Sequence, residues 1–245
     1  METVISTHNL TKAFGHFIAA RELTFSVAKG EIFGFLGANG AGKTTAMRML
    51  CGLSMPTSGE ATVAGFDVYK ENEKIKKNIG YMSQRFSLYE DLTIKENIRF
   101  YAGIYGLSIK KIKSKTDELL SELGLTKEAN KLVAELPLGW KQKLSFSVAL
   151  VHEPKIVFLD EPTGGVDPVT RRQFWDLIYY AASQYVTVFV TTHYMDEAEY
   201  CNRVSIMVDG VIEALDSPNN LKKQMQVQSM EDVFYALARK AKRTE

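Results

Sequence analysis

The chain has 245 residues, 45% of them hydrophobic and 24% charged, and its 30 Lys and Arg nearly balance 29 Asp and Glu at a net charge of +1. This composition excludes global disorder, and the near-neutral charge excludes binding to nucleic acid or an anionic membrane by overall charge alone. Because the two cysteines form no metal-ligand or disulfide pattern and no secretory signal or long apolar run is seen, we expect a cytoplasmic chain that does not itself cross a bilayer.

The first third of the chain is predicted to be rich in β-structure. Short stretches of apolar and β-branched residues indicate strands, whereas amphipathic or charged stretches after them indicate helices. The predicted strands are residues 4–5, 23–27, 32–36, 61–64 and 79–82, and the predicted helices are residues 43–53 and 70–77.

The middle of the chain, residues 93–150, changes to helical spacing, and the last third returns to a strand-helix-strand order typical of a buried parallel sheet. An Asp209-Gly210 turn between two apolar stretches indicates a hairpin. The predicted helices are residues 97–107, 110–123, 142–151 and 170–182, and the predicted strands are residues 156–159, 186–191, 204–208 and 211–214. We therefore expect one α/β domain over residues 1–245, with a helical subdomain at about 85–152 and a short helical tail at about 216–245.

A Gly-rich segment from Gly37 to Thr44 fits the P-loop pattern G-x-x-x-x-G-K-[ST] between a predicted strand and a predicted helix. Its glycines let successive N–H groups approach an anion, Lys43 can reach the β- and γ-phosphates, and the Thr44 hydroxyl suits Mg²⁺. A Gly-rich turn that matches by accident is the lesser alternative, because the strand and helix lie where the motif requires them. The candidate phosphate-binding residues are Gly37, Asn39, Gly40, Ala41, Gly42, Lys43, Thr44 and Thr45.

Two carboxylates, Asp160 and Glu161, directly follow the apolar residues 156–159. A carboxylate is costly inside a buried strand, but at the strand end it can face a metal and a ligand crevice. We assign Asp160 to the Mg²⁺ shell and Glu161 to polarising the attacking water. A strand that simply ends in solvated acids is the weaker alternative once the P-loop is present.

With these motifs the chain resembles the nucleotide-binding subunits of the ATP-binding cassette (ABC) family over nearly its whole length. The resemblance implies a P-loop NTPase fold, with a RecA-like core and mainly parallel sheet, an N-terminal antiparallel β subdomain and an inserted helical subdomain. It also implies that Gln84 contacts Mg²⁺ or the lytic water, that His193 contacts the γ-phosphate, and that Phe14 stacks on adenine. Asp167 matches the family's D-loop.

Each of these weaker matches also has a simpler interpretation. Gln84 could be a surface glutamine, and Asp167 could be the N-cap of a helix that begins at Pro168. Phe14 and His193 could be core or strand-end residues. The ordered set of motifs along one chain makes a joint accident improbable.

One segment, Leu136-Pro137-Leu138-Gly139-Trp140, departs from the family's usual Leu-Ser-Gly-Gly-Gln. In the family this serine and the glycine N–H groups bind the γ-phosphate held by the opposite subunit of a head-to-tail dimer. Pro137 supplies neither a hydroxyl nor an N–H, so Gly139 and the helix N-terminus remain as the expected ligands. ATP binding is expected to be intact, whereas fast hydrolysis is not implied. The segment and the short tail resemble a subset of bacterial drug-efflux-type exporters.

The resemblance implies an ATP-binding and ATP-hydrolysing subunit of an exporter, which uses ATP and Mg²⁺ and drives transport through a separate polytopic membrane permease. Two such subunits, a homodimer or a heterodimer, would close on ATP at the inner face of the membrane. Near the permease, Phe86, Leu88 and Tyr89 would form either a docking groove or local core. An alternative is a soluble ABC factor acting on ribosomes or DNA, and a third is an unrelated P-loop kinase. The near-neutral charge disfavours a nucleic-acid partner, and we expect none.

Overall fold

Two β-sheets and eight α-helices form the parts of the chain that the computed structural model describes, residues 2–84 and 88–241. The strands are β1 (Thr3–Phe14), β2 (Phe17–Ala28), β3 (Ile32–Leu36), β4 (Ser58–Val63), β5 (Phe66–Asp67), β6 (Ile79–Met82), β7 (Ile156–Asp160), β8 (Thr187–Thr192), β9 (Arg203–Val208) and β10 (Val211–Asp216). The helices are α1 (Lys43–Leu50), α2 (Asn72–Asn78), α3 (Ile94–Ile104), α4 (Ile109–Glu122), α5 (Leu138–Ala149), α6 (Pro168–Ser183), α7 (Pro218–Met225) and α8 (Met230–Ala241). Short 3-10 helices lie at Val133–Glu135 and Met195–Tyr200.

The main sheet has six strands in the order β10-β9-β3-β8-β7-β6, all parallel to their neighbours except β10. Its central strands are buried on both faces, which explains their continuous apolar runs. On β3, Phe33 and Phe35 face one hydrophobic cluster, whereas Ile32 and Leu36 face another.

The first cluster lies between the main sheet and the antiparallel sheet β2-β1-β4-β5. Phe25 of the antiparallel sheet stacks on Phe33 with ring centroids 5.5 Å apart and an interplanar angle of 9°. The second cluster covers the other face with α6, α7 and α8, and Trp175 is fully buried there. The antiparallel sheet and these helices therefore enclose the main sheet from its two faces and fix the positions of its strand ends.

Helices α3, α4 and α5 share a third hydrophobic cluster of their own. Thr93 and Glu96 form a reciprocal capping box that fixes the start of α3. Of the three residues expected at a docking groove or in local core, Leu88 is buried in this cluster and belongs to the core. Tyr89 is about half exposed, and Phe86 lies outside the described residues.

Some element boundaries differ from the sequence predictions. The strands β1 and β2 run for 12 residues each. Their antiparallel pairing extends over polar positions, and such positions do not predict a strand from the sequence alone. Helix α5 begins at Leu138 and not at residue 142, since the carbonyl of Pro137 accepts hydrogen bonds from the N–H groups of Trp140 and Lys141. Helix α1 stops at Leu50 because Gly52, with φ 68°, ends it.

The predicted hairpin is confirmed: β9 and β10 pair antiparallel around Asp209 and Gly210, and both turn residues have positive φ. Strand β5 and the two 3-10 helices had no signal in the sequence pattern. Among the described residues, no helix is both long and apolar enough to span a membrane.

Candidate functional site

The carboxyl ends of four parallel strands bring the predicted site residues to one edge of the main sheet. The P-loop follows β3, Gln84 follows β6, Asp160 ends β7, and His193 follows β8. Ligands of open α/β sheets bind outside the carboxyl ends of the strands, so this edge is where chemistry is expected.

The P-loop enters α1 through Gly42, which is the N-cap of the helix and has φ 101°. A Cβ at this position would lie 2.1 Å from the carbonyl oxygen of Ala19, so only glycine fits both the backbone angle and the contact with β2. The first N–H groups of α1 have no partner within the helix and point toward the loop. Loop and helix start therefore form a ready anion-binding surface.

Lys43 lies inside this loop and is only 4% exposed. Its ammonium donates hydrogen bonds to the carbonyl oxygens of Gly37 at 2.8 Å and Ala38 at 3.0 Å, and it lies 3.4 Å from Oε1 of Glu161. Burial lowers the pKa of Lys43, and the adjacent Glu161 carboxylate opposes that shift. A buried cation held by two carbonyls and one carboxylate is a strong attractor for phosphate oxygens.

Asp160 ends β7 and is buried at 3% exposure. Its Oδ1 accepts hydrogen bonds from the hydroxyls of Thr44 at 3.1 Å and Thr191 at 2.7 Å. Thr191 also accepts a hydrogen bond from the N–H of Glu161 at Oγ1, 3.1 Å away. Sequence reasoning missed Thr191, although a threonine pair at the end of β8, directly before His193, was the available signal.

Glu161 occupies the centre of the site. Its backbone has φ 47°, a left-handed conformation that is unusual for glutamate and is held by hydrogen bonds to Thr191. Its Oε2 accepts a hydrogen bond from Nε2 of Gln84 at 2.9 Å and lies 3.0 Å from Nδ1 of His193. A single carboxylate thus joins Lys43, Gln84 and His193, three groups that three separate motifs contribute.

A cavity of about 420 Å³ lies at this edge of the sheet, and Asp160 and His193 are not among its lining residues. Its lining residues are Phe17, Ala19, Asn39, Gly40, Gly42, Lys43, Thr44, Thr45, Gln84 and Glu161. Two further loop residues do not line the cavity. The carbonyl of Gly37 accepts a hydrogen bond from Lys43, and the buried Ala41 accepts one from the N–H of Gly210 at its carbonyl.

Phe14 is not among the residues that line this cavity. It lies at the end of β1, is 55% exposed, and has the ammonium of Lys12 4.9 Å from its ring centroid. The aromatic side chain at the cavity is Phe17, which pairs with Phe14 across the hairpin. An aromatic residue just beyond the Gly15 turn was the signal for Phe17, and stacking of Phe14 on a base stays a prediction.

Gly139 and Asp167 lie away from the cavity, at the adjacent N-termini of α5 and α6. Asp167 is the N-cap of α6, as its simpler interpretation predicts, and accepts hydrogen bonds from the N–H groups of Val169 and Thr170. The hydroxyl of Thr170 lowers the pKa of this carboxylate. The role of Gly139 toward the nucleotide of a second subunit stays a prediction, and so does the match of Asp167 to the D-loop.

The donor groups fit a magnesium nucleotide. The Thr44 hydroxyl and the Asp160 carboxylate provide neighbouring oxygens of the kind Mg²⁺ prefers, and the loop N–H groups and Lys43 suit phosphate. The whole arrangement can hold a polyphosphate with its terminal group beside Glu161.

Known proteins resemble this chain over most of its length. A family described as "ABC transporter" matches residues 20–164. The chain is 49% identical over 223 residues to "Probable multidrug ABC transporter ATP-binding protein YbhF" of Escherichia coli (strain K12), covering 91% of this chain and 39% of that protein. It is 36% identical over 219 residues to "Linearmycin resistance ATP-binding protein LnrL" of Bacillus subtilis (strain 168), covering 89% of this chain and 70% of that protein.

A solved structure has the same fold. It is a dimeric ATP-binding cassette in a post-hydrolysis state bound to ADP and Pi, with a TM-score of 0.77 and 25% identity, and the match covers 87% of this chain and 98% of that one. The predicted P-loop NTPase fold is confirmed by this likeness. The chain spans only 39% of the length of its Escherichia coli relative.

Proposed function

Because the chain belongs to the ABC transporter family, whose profile matches residues 20–164, we propose that it is an ATP-binding and ATP-hydrolysing subunit of an exporter. The observation that carries the proposal is the convergence of Lys43, Thr44 and Glu161 on one cavity at the carboxyl edge of the sheet, with the Asp160 carboxylate hydrogen-bonded to the Thr44 hydroxyl. The names of the two bacterial relatives, a multidrug transporter protein and a linearmycin resistance protein, favour export as the task.

In this proposal the P-loop holds the triphosphate. The N–H groups of the loop and of the start of α1 bind the phosphate oxygens, and Lys43 exchanges its carbonyl partners for the β- and γ-phosphates. Thr44, Asp160 and Gln84 would hold Mg²⁺, which would neutralise charge on the phosphates. Thr45 lines the same cavity and can donate its hydroxyl further back along the phosphate chain.

Glu161 then polarises the attacking water. Lys43 moves toward phosphate and leaves the carboxylate freer to accept a proton, while Gln84 and His193 keep it oriented through its Oε2. In this proposal His193 contacts the terminal phosphate, and the support is that its Nδ1 lies 3.0 Å from the same carboxylate. Four separate loops supply these groups, so hydrolysis depends on the relative position of the strand ends.

The composite site requires a second subunit. The start of α5 with Gly139 faces the γ-phosphate of the opposite subunit, in a homodimer or a heterodimer. A separate polytopic permease binds the helical region beside Gln84, and this attachment places the subunit at the inner face of the membrane. ATP-driven closure of the two subunits supplies the conformational change for transport.

The first test is nucleotide binding by Lys43→Ala. Removing a buried charge-assisted contact costs about 1.5–3 kcal/mol, so we expect roughly ten- to hundredfold weaker binding of Mg-ATP in a calorimetric titration. Lys29→Ala is the matched control, since Lys29 forms only an exposed ion pair with Glu2. Unchanged ATP affinity in Lys43→Ala, or no ATP binding by the parent, contradicts the proposal.

A further inference from the structure

Helix α5 is attached at its first turns to the loop that follows Glu161. The side chain of Gln142, 3% exposed, donates a hydrogen bond from Nε2 to the carbonyl of Gly164 at 3.3 Å. The N–H of Gly164 in turn donates to the carbonyl of Glu161 at 3.2 Å. Gln142 is therefore two hydrogen bonds away from the backbone of the residue with the strained left-handed conformation.

A second contact sets the spacing between α5 and the first turn of α6, the helix that follows this loop. A Cβ at Gly139 would lie 2.5 Å from Cγ2 of Thr170. Thr170 cannot move away freely, because its hydroxyl donates to Oδ2 of Asp167 at 2.6 Å and its N–H donates to Oδ1 at 3.0 Å. The absence of a side chain at Gly139 thus lets α5 lie directly against the N-terminus of α6.

Burying the side chain of Gln142 costs free energy of folding. Its Oε1 is buried and has no hydrogen-bond partner among the described residues. A buried amide that uses only one side is a poor choice for stability alone, and a nonpolar residue of similar volume would fill the position as well. The hydrogen bond from Nε2 to the carbonyl of Gly164 gives this amide a role beyond filling the position.

We propose that Gln142 and Gly139 are positioning residues that couple the start of α5, which faces the nucleotide of the opposite subunit, to the turn that holds Glu161 in its own subunit. This inference rests on the proposed function. One end of the unit, Leu138 and Gly139, contributes to the composite site in the opposite subunit. The other end, Glu161 to Gly164, orients the carboxylate of the general base. In each subunit, this one unit therefore contributes to both nucleotide sites of the dimer.

The main experiment is steady-state ATP hydrolysis by Gln142→Met, which keeps the volume and removes the amide. We expect kcat to fall about fivefold or more, KM for ATP to stay within about twofold, and the thermal unfolding midpoint not to fall. Gln173→Ala is the matched control, because it removes an exposed hydrogen bond between the same two helices, from Lys143 at 2.8 Å, without touching Gly164. Its kcat should equal that of the parent.

A second pair of variants tests the spacing independently. Gly139→Ala keeps the N–H but presses against the methyl group of Thr170, so kcat should fall. Adding Thr170→Ser removes that methyl group and keeps the hydroxyl on Asp167, so the double variant should recover most of the lost activity. Recovery in the double variant is not expected from a general loss of folding.

The outcomes separate this inference from the proposed function. If the parent neither binds nor hydrolyses ATP, the proposed function fails. If the parent turns over ATP while Gln142→Met keeps the parental kcat, and Thr170→Ser does not rescue Gly139→Ala, only the positioning roles are refuted.

Discussion

At the scale of single residues, the site is organised around one carboxylate. Glu161 is 8% exposed at its side chain and touches the ammonium of Lys43, the amide of Gln84 and the ring of His193. A buried cation and anion beside each other stabilise a structure only when further hydrogen bonds satisfy both, and here two carbonyls and an amide do so. The residues that bind phosphate and the residue that polarises water are therefore linked before any phosphate contacts the loop.

Glu161→Gln tests the role of this carboxylate. The amide keeps the shape but cannot accept a proton, so phosphate release should fall by about 10²-fold or more while ATP binding persists. ATP should also trap a closed dimer, measurable by light scattering. Glu153→Gln, which changes an exposed partner of Lys115, is the control and should hydrolyse ATP at the parental rate. Undiminished turnover in Glu161→Gln would remove Glu161 from the base role.

At the scale of elements, His152 joins the helical region to the main sheet. Its ring stacks on Tyr105, just after α3, with centroids 3.6 Å apart, and its Nε2 donates to the carbonyl of Ile79 in β6 at 3.0 Å. A carbonyl can only accept, so the proton of the neutral ring lies on Nε2. Strand β6 leads directly to Gln84, and His152 thus supports the junction from which the loop departs.

This junction should weaken in acid. Burial lowers the pKa of His152 in the folded protein, whereas the unfolded chain keeps a value of about 6.5. Below that value the unfolded state binds more protons, so folded stability is lost as the pH falls from 7.5 to 5.5. We expect His152→Gln to show a smaller drop of the thermal midpoint over this interval than the parent.

His8→Gln is the control for this titration, because His8 is exposed on β1. It should keep the parental pH dependence of the midpoint. An equal drop in His152→Gln and the parent would show that His152 does not contribute to the acid sensitivity.

At the scale of the whole molecule, the three hydrophobic clusters leave an aromatic surface at the start of the helical region uncovered. Tyr89 and Phe100 meet edge to face with centroids 4.9 Å apart and are 47% and 41% exposed, and Ile104 on the same helix is 62% exposed. Asn97 fixes the backbone of Tyr89 through two hydrogen bonds, at 2.8 Å and 2.9 Å. We propose that this patch, which begins five residues after Gln84, receives the permease.

The double substitution Tyr89→Ala and Phe100→Ala tests that surface. Losing two exposed aromatic anchors should reduce co-purification with the membrane subunit at least about tenfold, while ATP binding by the isolated subunit stays unchanged. Tyr235→Ala removes a similarly exposed aromatic residue from α8 and should leave co-purification intact. Full recovery of the complex with the double variant would place the permease elsewhere.

Much of the site was predictable because its residues lie in short, contiguous motifs. The P-loop from Gly37 to Thr44, and Asp160 with Glu161, carry their chemistry in sequence order, and strand polarity alone brings them to one edge. Phe17 and Thr191 were missed because their contribution depends on hairpin geometry and on the register of β7 with β8, where Asp160 pairs with Thr191. Side-chain contacts of that kind depend on which strands pair and in which register, and no local sequence pattern predicts them.

The α/β class and the phosphate loop, with the strand before it and the helix after it, could be predicted from residue order alone, because apolar periodicity and glycine placement follow from backbone geometry and solvent exclusion. Contacts in the folded chain were needed to show that Leu88 is core and that Glu161 bonds to Gln84 and His193. They were also needed to show that Gln142 bonds to the loop after β7 and that Gly139 lies against α6. These facts rest on contacts between segments far apart in the chain. Such contacts form only when the three hydrophobic clusters pack together, and residue spacing within one segment does not predict that packing.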